Sequence, residues 1–385
     1  MWPYMLCFTL SSVFTGCASY FKKKNKILFV GISIIAILIP CVLAGARDYT
    51  IGSDVLIYGN HIFYNSLALS FTEYMKTNAE FLYLILVYVC SHICPELFFQ
   101  YFIIEAIIFI PIYITLQRDE CYRYAWLGVA VYFLVLYPYS LNLLRQSIAV
   151  SIVLYSLRFV LNHKIKWFIL SIVIAVLFHK TAVIALLIYP MFLLIQGNDH
   201  KLMLNNRISK IQKFASRHGT TVSWLMIIIS FFVLTQLDRI ITAFYMFDSD
   251  SYSYFYDRLG GQIPLLNVLI QILLLIPVFL MYFINNKYYS YKDNNIKVLF
   301  TLSAMGLVLY QARMISNEMY RISLYFFIFL PIFTEQTVNL KSKQSSRWFN
   351  AFIILIFAVM YFVYFFVICK WNRVYPYTST ILGIN

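Results

Sequence analysis

The chain has 385 residues, of which 62% are hydrophobic and only 12% are charged, and its mean hydropathy is +0.75. This composition excludes a soluble globular domain, because too few polar residues are present to cover the surface of one. The formal net charge of +14 would suit nucleic acid, but the basic residues lie in short connectors between apolar segments, as in proteins that they orient in a bilayer. The sequence therefore predicts a lipid bilayer, and no nucleic acid, as the partner.

Apolar segments long enough to cross a bilayer as helices of about 20 residues recur along the whole chain. They predict an all-α polytopic membrane protein with about twelve transmembrane helices of that length. We expect a single membrane domain over residues 1–385. A transmembrane strand barrel is excluded, because its segments would be short and would alternate between apolar and polar residues.

The connectors differ in their content of Lys and Arg, which predicts the side of the membrane on which each one lies. The basic connectors, expected inside, are 158–166, 201–217, 287–297 and 341–347. The segments expected outside are 46–78, 142–146, 178–181, 238–262, 311–321 and the tail from Lys370. The two long outside segments, 46–78 and 238–262, are rich in Tyr, Asp and Ser, and we expect both to carry short interfacial helices.

Residues 79–140 contain three apolar segments between two points that are both expected outside. Three crossings of the membrane would place the second of these points inside, so one of the three segments cannot cross. The segment 79–93 is short and precedes Pro95-Glu96, and we predict that it is re-entrant or only partly inserted. Arg118 and Arg123 then lie inside.

The first polar cluster follows the second apolar segment and contains Arg47, Asp48 and Asp54, with Tyr58 one helical turn later. At the edge of a bilayer, a guanidinium group can bind a phosphate and a carboxylate can accept a proton from a sugar hydroxyl. The alternative, of equal weight, is a loop whose charges pair with each other and with water.

The second cluster places Asn142, Arg145 and Gln146 at the start of a segment that is otherwise mostly apolar through Val160. A buried guanidinium requires a partner, because leaving it without one costs several kcal/mol. The partner is either an anionic ligand or a neighbouring carboxylate. The ligand is favoured, because the start of a helix also offers free backbone N–H groups to a phosphate.

The third cluster is a tight turn that contains His179 and Thr181. A lone histidine is more often a structural residue than a catalytic one. Here the short connector 162–166 joins the segment that carries Arg145 to the segment that ends at His179. The two helices form a hairpin, and we expect both side chains at one depth in the membrane.

The fourth cluster contains Arg313 and Arg321, with Glu318 between them. Paired guanidinium groups suit a pyrophosphate, whose oxygens have fixed geometry. The alternative is an ion pair with Glu318 and a second arginine that reaches the membrane surface. Acidic and basic residues among the tyrosines of 238–262 are typical of surfaces that bind sugars.

The sequence contains no phosphate-binding loop, no dinucleotide fingerprint and no metal-binding spacing of Cys or His. The seven cysteines lie mostly inside apolar segments and are expected to be small core residues. We therefore expect no cofactor and no metal, and a substrate that carries its own leaving group.

The ordered motifs resemble one known family. These motifs are Arg47…Gly52-x-Asp54…Tyr58, Asn142-x-x-Arg145-Gln146-x-x-Ala149 and Phe178-His179-x-Thr181-Ala182. In this order, on a chain of this length, they resemble the EpsG-type branch of the Wzy polysaccharide polymerases. The resemblance implies a GT-C-like glycosyltransferase of the bacterial inner membrane, whose active site faces the periplasm. It also implies that glycan is transferred from undecaprenyl pyrophosphate to a lipid-linked repeat unit, to build O-antigen or another surface polysaccharide.

For this chemistry the protein must stabilise the leaving diphosphate and remove one proton from the attacking hydroxyl. We expect Arg145 to bind the diphosphate, together with Arg47, Arg313 and Arg321. His179 or Asp54 would be the base. The expected substrate-binding residues in the same motifs are Asp48, Tyr58, Asn142, Gln146 and Thr181.

Two other functions stay open. A flippase for the same lipid-linked unit would also have about a dozen spans, but such transporters usually show two related halves, and none is visible here. An O-antigen ligase would perform the same chemistry with lipid A core as the acceptor. Control of chain length would require a separate partner protein.

Overall fold

The computed structural model describes residues 1–118, 122–196, 218–247, 264–289, 294–316, 319–340 and 344–384. In these ranges the chain is helical, and the one strand-like contact is an isolated bridge between Ser379 and Ile384. The α-helices are α1 (Trp2–Phe21), α2 (Lys26–Ala46), α3 (Asn60–Ala68), α4 (Phe71–Tyr74), α5 (Phe81–Ile93), α6 (Leu97–Arg118), α7 (Ala125–Val135), α8 (Tyr137–Ser140), α9 (Leu144–Leu161), α10 (Ile165–Phe178), α11 (Ile188–Gln196), α12 (Gly219–Thr235), α13 (Leu237–Phe247), α14 (Leu265–Tyr289), α15 (Asn294–Tyr310), α16 (Leu324–Phe327), α17 (Leu330–Asn339) and α18 (Gln344–Phe362).

Several helices are joined by tighter or wider helical turns instead of open loops. The 3₁₀ turns are Tyr122–Tyr124, Lys180–Leu187, Gln311–Met314, Met319–Ser323 and Trp371–Arg373, and the π turns are Val55–Gly59 and Val363–Ile368. Such irregular turns are frequent at functional sites. Four of them carry residues selected from the sequence. Val55–Gly59 contains Tyr58, Lys180–Leu187 contains Thr181, Gln311–Met314 contains Arg313, and Met319–Ser323 contains Arg321.

The protein is a multi-pass membrane protein, but the expectation of about twelve full spans is wrong for the described residues. Seven helices in this part of the chain are long and apolar enough to cross a membrane, or eight if α12 and the start of α13, which bend by 56°, form one span. Four further apolar helices have only 10–17 residues. Bends and 3₁₀ turns interrupt these apolar segments, and hydropathy alone does not locate such interruptions.

Helix α5, the segment predicted to be re-entrant, has 13 residues and is about 20 Å long at 1.5 Å per residue, less than the hydrocarbon core of a bilayer. Near its end, Ser91 accepts a hydrogen bond from Ser66 of α3 at 2.8 Å. Shortly afterwards, the backbone of Phe98 in α6 lies against Gly45 at the end of α2. Glu80, directly before α5, forms an ion pair with Arg145 at the start of α9. Both ends of α5 therefore lie at the end of the molecule where α2 finishes and α9 begins, as predicted for a segment that does not cross.

The molecule has two chemically different ends. We call the end at which α2 finishes and α9 begins the site end, and the end that carries Lys22–Lys26 the basic end. The ammonium group of Lys22 lies 4.5 Å from the ring centre of Tyr122, so the connector after α6 is at the basic end, where the sequence places it. The segment 46–78 contains two short helices, α3 and α4, as expected from the sequence. Of the loop 238–262, residues 248–262 lie outside the described residues.

Helix α7 is central, since every residue of Ala125–Val135 except Trp126 is buried. Around it, aromatic rings pack edge-to-face or stack, as rings prefer: Phe8 stacks on Phe133 at 5.1 Å, and Phe362 meets Phe8 at 5.4 Å. Tyr137, just beyond α7, donates a hydrogen bond to the carbonyl of Pro40 at 3.0 Å. This core fixes α1, α2 and α18 relative to the start of α9, where the candidate site lies.

Candidate active site

A polar cleft opens at the site end. It contains about 400 Å³ of empty space, including the space at its open mouth. Its walls come from the turn after α2, the start of α5, the start of α9, the turn after α10 and the turn before α16. The lining residues are Asp54, Val55, Tyr58, Gly59, Ile62, Tyr83, Asn142, Leu143, Leu144, Arg145, Gln146, His179 and Arg321. Seven residues selected from the sequence thus share one cleft: Asp54, Tyr58, Asn142, Arg145, Gln146, His179 and Arg321.

Glu80 joins the two central side chains. One of its carboxylate oxygens accepts a hydrogen bond from Arg145 at 2.6 Å, and the other lies 2.8 Å from Nδ1 of His179. The side chain of Glu80 is only 9% exposed, whereas those of Arg145 and His179 are 29% and 20% exposed. The carboxylate is therefore buried behind the two groups that reach the cleft.

The structure thus gives Arg145 a carboxylate partner, whereas the sequence analysis favours an anionic ligand. The partner is 65 positions away in the sequence, and α5 brings it to the start of α9. A guanidinium has five N–H donors, more than one carboxylate oxygen can accept. The ion pair therefore orients Arg145 without using all of its donors.

The ionisation of Glu80 follows from these contacts. Burial alone would raise the pKa of Glu80, but the hydrogen bond with His179 and the charge of Arg145 outweigh it and lower the pKa to about 2. The group is thus a carboxylate throughout the physiological range. A carboxylate at Nδ1 fixes the imidazole so that Nδ1 donates and Nε2 carries the lone pair.

This shift predicts a stability that depends on pH. Because the pKa of Glu80 is lower in the folded protein, its contribution is fully present above about pH 4.5, the ordinary value, and is lost as the pH falls towards 2. We expect the thermal unfolding temperature of the detergent-purified protein to fall over this interval. The same titration of Glu80→Gln should be flatter there, and identical curves for the two proteins would contradict the prediction.

The second ion pair in the cleft joins Arg321 to Asp54, at 3.0 Å. The amide side chain of Asn142 accepts a hydrogen bond from the backbone N–H of Asp54 at 2.8 Å. Gln146, one turn into α9, donates to the backbone carbonyl of Arg321 at 2.6 Å. The start of α9 therefore positions both partners of this pair. The alternative partner Glu318 lies outside the described residues.

Gly52 allows the turn after α2 to approach α9. Its φ of +95° is in the region that favours glycine, and a Cβ there would lie 2.7 Å from the carbonyl oxygen of Leu141. The backbone N–H of Gly52 also donates to the carbonyl of Arg373 at 3.1 Å. The glycine is required because the chain passes directly against the turn that holds Asn142.

We expect Gly52→Ala to destabilise the protein by at least about 1–2 kcal/mol from backbone conformation alone, and to displace Asp54. The measurement is the thermal unfolding temperature of the detergent-purified protein, which should be lower in Gly52→Ala. Gly31→Ala is the matched control, since nothing lies within 4 Å of a Cβ at Gly31. If both variants behaved like the unmodified protein, the close approach at Gly52 would have no importance.

Four selected residues lie outside the lining of the cleft. Arg47 is only 5% exposed and its guanidinium lies over the ring of Tyr101 at 4.4 Å. Asp48 accepts hydrogen bonds from the backbone N–H and the hydroxyl of Thr380, at 2.8 and 3.1 Å.

The other two residues outside the lining are Thr181 and Arg313. Thr181 is hydrogen-bonded to the hydroxyl of Tyr325 at 3.1 Å. The guanidinium of Arg313 lies 3.8 Å from the ring centre of Trp371 and donates to the hydroxyl of Tyr310 at 3.0 Å. The structure thus gives Arg47, Asp48, Thr181 and Arg313 contacts within the protein.

Sequence analysis did not select Glu80 or Tyr83, which the structure places at the centre and in the wall of the site. A signal for Glu80 was present, because it directly precedes an apolar segment, as Arg145 does. Among the described residues, no group of three His, Cys, Asp or Glu is placed to hold a metal ion.

The fold and the cleft define the class: an all-α, multi-pass membrane protein with a cleft of paired acidic and basic side chains at one end of its helices. Comparison with protein families finds that residues 26–379 match the EpsG family, and the chain belongs to that family. Membership indicates a glycosyltransferase-like, polysaccharide polymerase-type function. No curated protein and no solved structure matches the chain.

Proposed function

We propose that the protein polymerises a surface polysaccharide, with O-antigen as the first candidate, at the periplasmic face of the bacterial inner membrane. The donor is a glycan on undecaprenyl pyrophosphate and the acceptor is the sugar of a second lipid-linked repeat unit. The observation that carries the proposal is the convergence of Arg145, His179 and Arg321 from three separate parts of the chain on one cleft. The periplasmic side is inferred from the basic connectors at the opposite end.

The diphosphate of the donor is bound by Arg145 and Arg321. Both guanidinium groups are held by carboxylates, Glu80 and Asp54, so their orientation is fixed before substrate binds. Helix α9 begins at Leu144 without a side-chain cap, and its first residues line the cleft. The backbone N–H groups of this helix start add donors for an anion. The carboxylates of Glu80 and Asp54 balance the charges of Arg145 and Arg321. The diphosphate is therefore selected by directed hydrogen bonds more than by net charge.

His179 accepts the proton of the attacking hydroxyl. The hydroxyl oxygen forms a bond to the anomeric carbon of the donor sugar, the bond from that carbon to the phosphate oxygen breaks, and the diphosphate leaves with the electron pair. The proton passes to Nε2 of His179, because Nδ1 is occupied by Glu80. Glu80 stabilises the imidazolium that forms, as an orienting carboxylate does in other acid–base sites.

Asp54 is assigned a positioning role in this proposal. It is a second candidate for the base, but its carboxylate is paired with Arg321 and its backbone is held by Asn142. A carboxylate paired with a guanidinium is a weaker proton acceptor than a neutral imidazole. Tyr58 lines the cleft on the turn before α3 and provides a ring and a hydroxyl for a sugar.

Analysis of surface polysaccharide in a deletion strain tests the function. Loss of a polymerase leaves core that carries a single repeat unit, and this is the expected result. Loss of a ligase would leave polymer on the carrier lipid, and loss of a flippase would leave no repeat unit outside. Either of these two patterns would contradict the proposal and identify the alternative.

A further inference from the structure

A second cavity lies in the membrane-spanning body, away from the cleft. Helices α1 and α18 both pack on α7. Towards the site end, the ring of Phe362 in α18 meets those of Tyr4 and Phe8 in α1, at 5.7 and 5.4 Å. Towards the basic end, the two helices leave a groove between them, with α7 as its floor and about 1070 Å³ of empty space counted up to its mouth.

The groove is apolar and open along its side. Its walls contain no charged residue and are formed by Met5, Phe8, Thr9, Ser12, Val13, Gly16, Cys17, Trp126, Ala130, Leu134, Trp348, Leu355 and Val359. Val13 and Trp348 are 55% and 53% exposed, although both lie on helices that span the membrane. An alkyl chain can therefore enter the groove from the bilayer.

At the basic end the groove continues into a pocket of different chemistry. Gly16, Trp126 and Trp348 line both spaces, and the two indole rings stack at 5.6 Å. The pocket adds about 1180 Å³, counted in the same way. Its other lining residues are Ser19, Tyr20, Lys23, Lys24, Tyr122, Arg123, Tyr124, Gln344 and Arg347.

The charge of this pocket is positive. Four of its lining residues are basic, and no Asp or Glu is among those that the structure places there. These basic residues belong to the segments 22–26, 118–123 and 341–347, which in the sequence contain nine basic and two acidic residues; residues 119–121 and 341–343 lie outside the described residues. An apolar groove that ends in a basic pocket flanked by Trp and Tyr is complementary to an amphiphile with an anionic headgroup.

We infer that this groove binds an anionic phospholipid of the membrane leaflet at the basic end. The phosphate lies among Lys23, Lys24, Arg123 and Arg347, and one acyl chain lies along α7. The site is separate from the candidate active site, because α2, with 21 residues, spans the distance between the two ends. The inference does not depend on the proposed function.

Binding to the purified full-length protein tests the inference. Native mass spectrometry in detergent would compare phosphatidylglycerol with phosphatidylcholine of the same acyl chains. We expect at least one bound phosphatidylglycerol with an affinity about tenfold or more above that of phosphatidylcholine, since several cations act on one phosphate. Equal affinities would overturn the inference.

Two variants separate the headgroup from the chain. The double substitution of Lys23→Gln with Arg347→Gln should reduce phosphatidylglycerol affinity about tenfold. Gly16→Leu should reduce it as well, because its side chain fills the junction of groove and pocket next to Trp126, where a Cβ has an ordinary contact of 3.6 Å.

The matched control is Lys164→Gln with Lys166→Gln, two exposed lysines on another basic connector. This control should retain the affinity. An equal loss in the control would show that only general surface charge acts, and normal affinity in Gly16→Leu would show that no chain occupies the groove. Both results would overturn the inference. Unchanged thermal unfolding of each variant verifies that the fold is intact.

Discussion

Replacing Arg145 with alanine should abolish long-chain polymer while the protein remains in the membrane. The guanidinium is expected to stabilise charge on the leaving diphosphate, and removal of one such donor typically lowers a rate by roughly 10²–10³-fold. The loss also leaves the buried Glu80 carboxylate without its guanidinium partner, while the hydrogen bond with His179 stays. The measurement is the length distribution of surface polysaccharide in the deletion strain, with membrane content of each variant determined in parallel.

The matched control is Arg158→Ala. Arg158 is on the same helix as Arg145 but near its other end, where it packs over the ring of Tyr155 at 4.8 Å, and this variant should keep normal polymer. Arg145→Lys should remain poor, because an ammonium group keeps the charge but cannot reproduce the planar fork of donors. Normal polymer in Arg145→Ala would show that Arg145 has only a structural role.

The second large effect is expected for His179→Ala. A general base commonly contributes about 10²–10⁴-fold to a rate, so only the single repeat unit should remain. Glu80→Gln should lower polymerisation less than His179→Ala, because the amide can still contact Nδ1 but no longer stabilises the imidazolium. The rate of polymer formation in membranes is the measurement, and it should decrease in the order unmodified protein, Glu80→Gln, His179→Ala.

Lys180→Ala provides the adjacent control. Lys180 is next to His179 in the sequence and is exposed, and its replacement should have a mild effect. If His179→Ala and Lys180→Ala reduced polymer equally, the turn after α10 would act through its structure and not through proton transfer. A normal rate in Asp54→Asn would further support His179, whereas complete loss there with activity in His179→Ala would reassign the base to Asp54.

The sequence predicted the class and much of the cleft for a simple reason. Arg145, His179 and Asp54 are polar groups at the ends of long apolar segments, and in a membrane such groups must lie at the same end to be adjacent. Topology therefore brought together residues that are far apart in the chain. The prediction required only the side of the membrane on which each connector lies, and the distribution of lysines indicates that side.

The side-chain contacts at the site end could not be predicted in the same way. Sequence pattern does not show that Glu80 would be the partner of Arg145, since this depends on the path of α5, a segment of 13 residues that begins and ends at the site end. Nor does it show that Arg47 would turn inward over Tyr101. The number of spans was overestimated for a related reason, because 3₁₀ turns such as Lys180–Leu187 interrupt apolar segments without changing their hydropathy.

The segment after α18 contacts residues that precede it by more than 200 positions. Tyr377 donates to the carbonyl of Leu43 at 2.8 Å, and the backbone N–H of Asp48 donates to the carbonyl of Thr378 at 3.0 Å. Asn142 donates to Asn372 at 3.5 Å. During synthesis, the turn that carries Asp54 leaves the ribosome long before these supports exist. The turn that carries Asp54 can therefore take its place in the cleft only after the segment that follows α18 has been made, so the site is completed late in synthesis.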